Sequence, residues 1–214
     1  MRGSVGENSR GRAVKQIPSI SVGILAGGNS SRMGTNKALL RFGNHTVIER
    51  IIAEFCDDYE VMISAAQSET YSFLNLPVVC DENKSIGPIE GIRRLLIVSK
   101  NNFVFVCATD MPFIDKELVN YLASFIRSDT DCCVLTVGGI AEPLCSIYSK
   151  KVIPIIEKLI EQGHYRPREI YNLCSVQYIP LETSGLNPSI AQNMNTPENY
   201  RQFAEQLKKA KLRQ

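Results

Sequence analysis

Three groups of residues in this 214-residue chain have types and spacings suited to chemistry on a phosphorylated substrate. The first is the loop "GGNSSRMGTNK", which follows the apolar run "SVGILA" directly. Gly27, Gly28 and Gly34 let backbone amides approach a ligand closely, and successive amides in such a turn form an anion-binding nest. Arg32 and Lys37 add two cations. This pairing suits a triphosphate, whose charge grows on the leaving pyrophosphate when the bond to the α-phosphorus breaks. The loop has neither the GxGxxG of dinucleotide-binding folds nor the GxxxxGK followed by Ser or Thr of the triphosphate-hydrolysing loop. The second group is acidic. Asp110 follows the strand-like "FVFVCA", and a carboxylate there can recruit magnesium together with phosphate oxygens and water. Asp81 closes "PVVCD" and places a second carboxylate, a hydrogen-bond acceptor, at a strand end. The third group lies in the second half: Glu142 at the mouth of a strand, Arg166 and Arg168 in "GHYRPREI", and Asn193 and Asn195 in "NMNTPENY".

The elements that must position these groups alternate between short apolar runs and helical periodicity, a pattern of parallel strands covered by helices. Strands are expected at 21–26, 60–64, 77–81, 103–108, 132–137, 143–149 and 176–179. In open α/β sheets of this kind ligands bind at the carboxyl ends of the strands, where the loop, Asp81 and Asp110 all fall. A helix is expected after Thr46, which forms a capping box with Glu49 and precedes an apolar face of Ile48, Ile51, Ile52 and Phe55. A second runs from about Pro88 to Val98, with Gly87 in the turn before it. A third follows the cap Asp115, and Thr196 with Pro197 opens a terminal helix.

The stretch "LAGGNSSRMGTNKALL" resembles the nucleotidyltransferase signature LxGGxSxRMGxxK, with Leu25, Gly27, Gly28, Ser30, Arg32, Met33, Gly34 and Lys37 matching. Together with "VVCDENKSIGPIEGI", "VFVCATDMPFID", "AEPLCSIY" and "NMNTPENY", it is similar to the MobA family of molybdenum cofactor guanylyltransferases from Ile20 to about Leu207. The resemblance implies a Rossmann-like three-layer α/β/α fold with a mostly parallel central sheet. It also implies transfer of GMP from GTP to the phosphate of molybdopterin, with release of pyrophosphate and a need for Mg2+, with Mn2+ as an alternative. By the same resemblance Leu25, Ala26, Gly27, Gly28, Lys37, Ser64, Asp81, Gly87 and Asp110 border the nucleotide. Lys37, Arg32 and Asp110 would be catalytic, Asp110 would bind the metal, and Glu142, Arg166, Asn193 and Asn195 would meet the acceptor. The chain departs from the pattern at Ser64, where the family can have asparagine, and at Asn36, where an aspartate commonly precedes the lysine. Other readings of the same residues are a cytidylyltransferase on molybdopterin, a transferase to a sugar or polyol phosphate, and a non-catalytic module that delivers cofactor.

Composition bounds these readings. The net charge of +2, from 24 cations and 22 anions, provides no broad field for nucleic acid or an acidic membrane, so anion recognition must be local. Seven cysteines without a CxxC or Cys/His cluster read as reduced thiols of a cytoplasmic protein. No run approaches the ~18–20 apolar residues that span a bilayer. Residues 1–18, polar and glycine-rich, are expected to be a disordered extension ahead of a single domain at 19–214. The expected partners are GTP, molybdopterin and, transiently, enzymes that make or receive the molybdenum cofactor.

Overall fold

The computed structural model describes residues 18–27, 36–83, 86–196, 198–203 and 205. The expected extension at 1–18 therefore lies, apart from Pro18, outside the described residues, as do Gly28, Arg32 and Gly34 of the glycine loop and Pro197.

All seven expected strands are present: β1 (Ile20–Leu25), β4 (Glu60–Ala65), β5 (Val78–Cys80), β6 (Phe103–Ala108), β7 (Cys132–Val137), β8 (Ile140–Ser149) and β9 (Val176–Pro180). They form one sheet in the order β5-β4-β1-β6-β8-β7-β9. Every pairing is parallel except the two made by β8, which runs antiparallel to β6 and to β7. A tight turn at Gly138 and Gly139, both with positive φ, sends β8 back along β7. Two short strands, β2 (Arg41–Phe42) and β3 (His45–Thr46), form a separate hairpin that patterning of longer apolar runs did not anticipate.

Helices α1 (Val47–Phe55), α2 (Pro88–Val98), α3 (Lys116–Ala123) and α4 (Ile153–Glu161) cover the sheet. The expected caps form. Glu49 N–H donates to Thr46 Oγ1 at 3.3 Å while Thr46 N–H donates to Glu49 Oε2 at 2.6 Å, and Leu118 N–H donates to Asp115 Oδ1 at 3.0 Å. Two cores lie on opposite faces of the sheet, because successive strand side chains alternate. Phe105 and Cys107 of β6 pack with Ile48, Ile51 and Phe55 of α1 and Leu118 and Leu122 of α3. Val104 and Val106 pack with Ile92 and Leu96 of α2 and Ile156 and Leu159 of α4. Each fully buried side chain of this size contributes ~1.5–3 kcal/mol relative to exposure. The result is the three-layer α/β/α architecture, with a mostly parallel sheet whose central strands are covered on both faces.

Candidate active site

Strand register fixes where the candidate residues stand. Leu25 at the end of β1 is level with Ser64 on β4 and Ala108 on β6, and Ala65 is level with Cys80 on β5. The residues following these strands, Ala26, Gly27, Asp81 and Asp110, therefore emerge along one edge. Ladder-like bonds continue past the strand ends, with Ala26 N–H donating to the Ser64 carbonyl at 2.8 Å and Thr109 N–H to the Leu25 carbonyl at 3.3 Å.

Lys37 begins a single 3-10 turn, Lys37–Leu39, at the far end of the glycine loop. Asn36 holds this turn in place. Its Oδ1 accepts from Ala38 N–H at 3.1 Å, its Nδ2 donates to the Tyr71 hydroxyl at 2.9 Å, and that hydroxyl donates to the Ala26 carbonyl at 2.8 Å. The two ends of the loop are thus joined through a buried tyrosine. An amide makes both the donor and the acceptor bond, which an ionised carboxylate could not, so the departure at Asn36 has a structural reason. The Lys37 ammonium donates to Asn195 Oδ1 at 2.9 Å and lies close enough to Asp110 to favour its ionised form. Asn195 therefore does more than lead into the terminal helical segment, whose cap is Thr196 with Asn199 N–H at 3.1 Å.

Asp110 is ringed by the acceptor candidates. The β6–β8 pairing runs to Cys107 opposite Cys145, and beyond it Glu142 and Asp110 line the same cleft, near enough for the charge of one to act on the other. Glu142 lies in an irregular stretch of β8, where the pairing with β7 slips between Val134 and Thr136. Pro143, which has no N–H for the ladder, lies within it. Hydroxyls replace the missing ladder bonds: Ser146 donates to the Glu142 carbonyl at 2.7 Å and Tyr148 to the Pro143 carbonyl at 2.8 Å. Asp110, Glu142, Arg166, Arg168, Asn193 and Pro88 line a cleft of about 350 Å³. The Asp110 carbonyl accepts from Met194 N–H at 2.6 Å, which fixes Asn193 and Asn195 beside it. Arg168 donates to the Ala141 carbonyl at 2.7 Å. His164 lies outside the cleft, its Nδ1 3.2 Å from Glu169 Oε1.

The electrostatics of this edge are uniform in sign. Burial pushes the Asp110 carboxyl above its ordinary value, with Lys37 and a backbone N–H only partly offsetting it. Burial also raises Glu142, the nearby Arg168 opposes that shift, and the charge of Asp110 adds to it. Asp81 is raised by burial and by Glu90, while a hydrogen bond from Ser64 and the charge of Arg94 act the other way. Asp81 Oδ1 is the buried side-chain N or O atom left without a hydrogen-bond partner among the described residues. Ser64 is only 3% exposed and acts through Asp81. Gly87, with φ of 88°, caps α2 in a conformation that side chains rarely adopt. Gly91 lets that helix reach the sheet edge, since a Cβ there would come within 2.5 Å of Leu25 and 2.7 Å of the Ser64 hydroxyl.

The donor set at Asp110 fits a hard divalent cation: two partly buried carboxylates, each penalised for its charge and only partly compensated by Lys37 or Arg168, are oxygen ligands of the type magnesium takes. No cluster of three or more His, Cys, Asp or Glu capable of holding a metal occurs among the described residues. A one- or two-carboxylate site completed by phosphate oxygens is the arrangement compatible with both facts. Two contributors escaped the motif reading, Tyr71 and Glu90. Glu90 had a usable signal, an acid three residues before Arg93 on an otherwise apolar helix face.

The chain matches the MobA-like NTP transferase domain over residues 22–177. A probable molybdenum cofactor guanylyltransferase of Carboxydothermus hydrogenoformans is 35% identical over 187 residues, covering 86% of this chain and 94% of that protein. A molybdenum cofactor guanylyltransferase of Vibrio campbellii is 30% identical over 186 residues, covering 85% and 93%. The crystal structure of the molybdopterin-guanine dinucleotide biosynthesis protein A from Archaeoglobus fulgidus superimposes with a TM-score of 0.78 at 22% identity, over 88% of this chain and 99% of that one.

Proposed function

The chain belongs to the MobA-like NTP transferase family, and on that premise we propose that it transfers GMP from GTP to the terminal phosphate of molybdopterin, releasing pyrophosphate. One observation carries the reading: Lys37, at the end of the glycine loop, donates to Asn195 beside Asp110, so the residues proposed to bind phosphate, metal and acceptor are neighbours at one sheet edge.

An oxygen of the acceptor phosphate attacks the α-phosphorus in line, the new P–O bond forming as the bond to the β-phosphate oxygen breaks. That phosphate is anionic near neutral pH and needs no general base, so catalysis is positioning and charge neutralisation. Lys37 exchanges the Asn195 amide for phosphate oxygens, and Arg32 joins it from the loop. Leu25, Ala26, Gly27 and Gly28 approach the phosphates through the backbone. Asp110 with Glu142 beside it would hold magnesium, which when bound supplies charge neutralisation at the phosphates. Arg166, Asn193 and Asn195 receive the acceptor's phosphate and pterin in the cleft. Asp81 Oδ1, buried and unpaired, offers guanine N1–H and N2–H the partner it lacks. Buried thiols at Cys107 and Cys145 on the central strands are in keeping with the reducing cytoplasm.

GTP labelled at the α-phosphate, incubated with the chain, magnesium and molybdopterin, tests this. The label is expected in a pterin dinucleotide and the β- and γ-phosphates in pyrophosphate. Label recovered as free GMP or GDP, with no dinucleotide, contradicts the reading.

A further inference from the structure

Glu90, in the first turn of α2, carries a carboxylate with no exposed surface. An isolated buried carboxylate is strongly disfavoured, and here five hydrogen bonds compensate. Glu82 N–H donates at 3.1 Å, Asn83 N–H at 3.2 Å and Asn83 Nδ2 at 3.3 Å, while Arg93 approaches through Nε at 2.9 Å and Nη2 at 3.0 Å. Burial pushes the carboxyl up, but the bonds from Arg93 and Asn83 outweigh it and hold the group below its ordinary value. Arg93 also reaches Glu82 at 2.7 Å and Glu157 at 3.2 Å, and Arg94 reaches Glu82 at 2.5 Å and the Cys80 carbonyl at 3.2 Å. The backbone on both sides of Asp81 is therefore gripped by α2: Cys80 before it, Glu82 and Asn83 after it. The Asp81 side chain stands between these anchors with Oδ1 unpaired.

We infer that Glu90 is a positioning residue for base recognition: by clamping Glu82 and Asn83 to α2 it presents Asp81 Oδ1 as an acceptor at the nucleotide site. Its own negative charge beside Asp81 also favours a base edge that presents N–H donors and disfavours one that presents a ring-nitrogen acceptor. This rests on the reading of Asp81 as the guanine contact. A purely structural ion pair would weaken every nucleotide alike, whereas a positioning role acts through Asp81.

The test is a double-variant cycle on the full chain, with equilibrium binding and steady-state kinetics for GTP and for ITP, which lacks the 2-amino group. Glu90→Gln keeps the shape, but its amide can no longer accept from all five donors. Kd and KM for GTP are expected to rise about tenfold, with kcat at saturation within about twofold and with the preference for GTP over ITP reduced. In an Asp81→Asn background the same change should add less than about twofold. Asn83→Ala, which removes one of the five bonds and leaves the buried pair intact, should raise the GTP Kd about twofold to threefold and supports or contradicts the role even if Glu90→Gln fails to fold. Unchanged GTP affinity in both variants, or fully additive losses in the cycle, overturns the inference. If the unaltered chain binds GTP and ITP equally, the guanine reading of Asp81 fails and the inference fails with it, whereas a preference for GTP that survives Glu90→Gln undiminished overturns the inference alone.

Discussion

The two halves of the sheet edge are built in opposite ways. On the nucleotide side, at β1, β4 and β5, candidate residues follow directly on parallel strands, and their supports are satisfied networks: Asn36 with Tyr71 and Ala26, and Glu90 with its five donors. On the acceptor side, Glu142, Arg166, Asn193 and Asn195 come from segments far apart in sequence, gathered with an irregular antiparallel strand around a cleft. A rigid edge suits a ligand whose triphosphate is the same in every turnover. A cleft assembled from separate segments suits an acceptor whose ring and phosphate need different partners.

The comparison is broken most directly at the residue both halves share. Asp110→Ala should lower pyrophosphate release on the order of 10³-fold with the far-ultraviolet circular dichroism of the unaltered chain, and undiminished release would remove Asp110 from the chemistry. The next largest contrast separates the halves. Lys37→Met should cost on the order of 10²-fold in kcat, while Arg166→Ala should raise the molybdopterin KM about tenfold and leave the GTP KM unchanged. Effects of Arg166→Ala on both substrates equally would merge the two sites into one.

The smallest effect is thermodynamic. Because burial raises Asp110 above 3.8, the folded chain holds that proton more tightly than the unfolded chain. In the metal-free protein, stability from this group is present at low pH and is lost as pH rises through the window just above 3.8. Asp110→Asn escapes that loss. Its Tm should match the unaltered chain near pH 3.8 and exceed it by about 2–4 °C near neutrality for each ~1 kcal/mol involved. A Tm below that of the unaltered chain at neutral pH would mean that Lys37 more than compensates the buried charge.

Much of the nucleotide side was legible in the sequence because its signals are local. The strand before the glycine loop, the carboxylates one or two residues past β5 and β6, the Thr46 capping box and Pro88 opening α2 each sit within a few residues of the element they define. The acceptor side was legible only as residue types. That Glu142 comes near Asp110 depends on how β8 packs against β6, and the reversal of β8 depends on the turn at Gly138 and Gly139, both contacts between segments rather than local patterns. Helix α4 and the hairpin of β2 and β3 were not specified individually. The Glu90–Arg93 spacing is visible in the sequence, but an acid on the first turn of a helix ordinarily faces water, and the burial of Glu90 depends on Arg93 and on a loop arriving from β5.

The central claim is that this edge selects guanine and joins it to a pterin phosphate. The most direct measurement offers the purified chain magnesium, molybdopterin and each of GTP, CTP, ATP and UTP separately, with pyrophosphate and the dinucleotide product quantified together. The account predicts both products with GTP and little of either with the other three. Turnover faster with CTP than with GTP, or pyrophosphate released from GTP without a pterin dinucleotide, would contradict it.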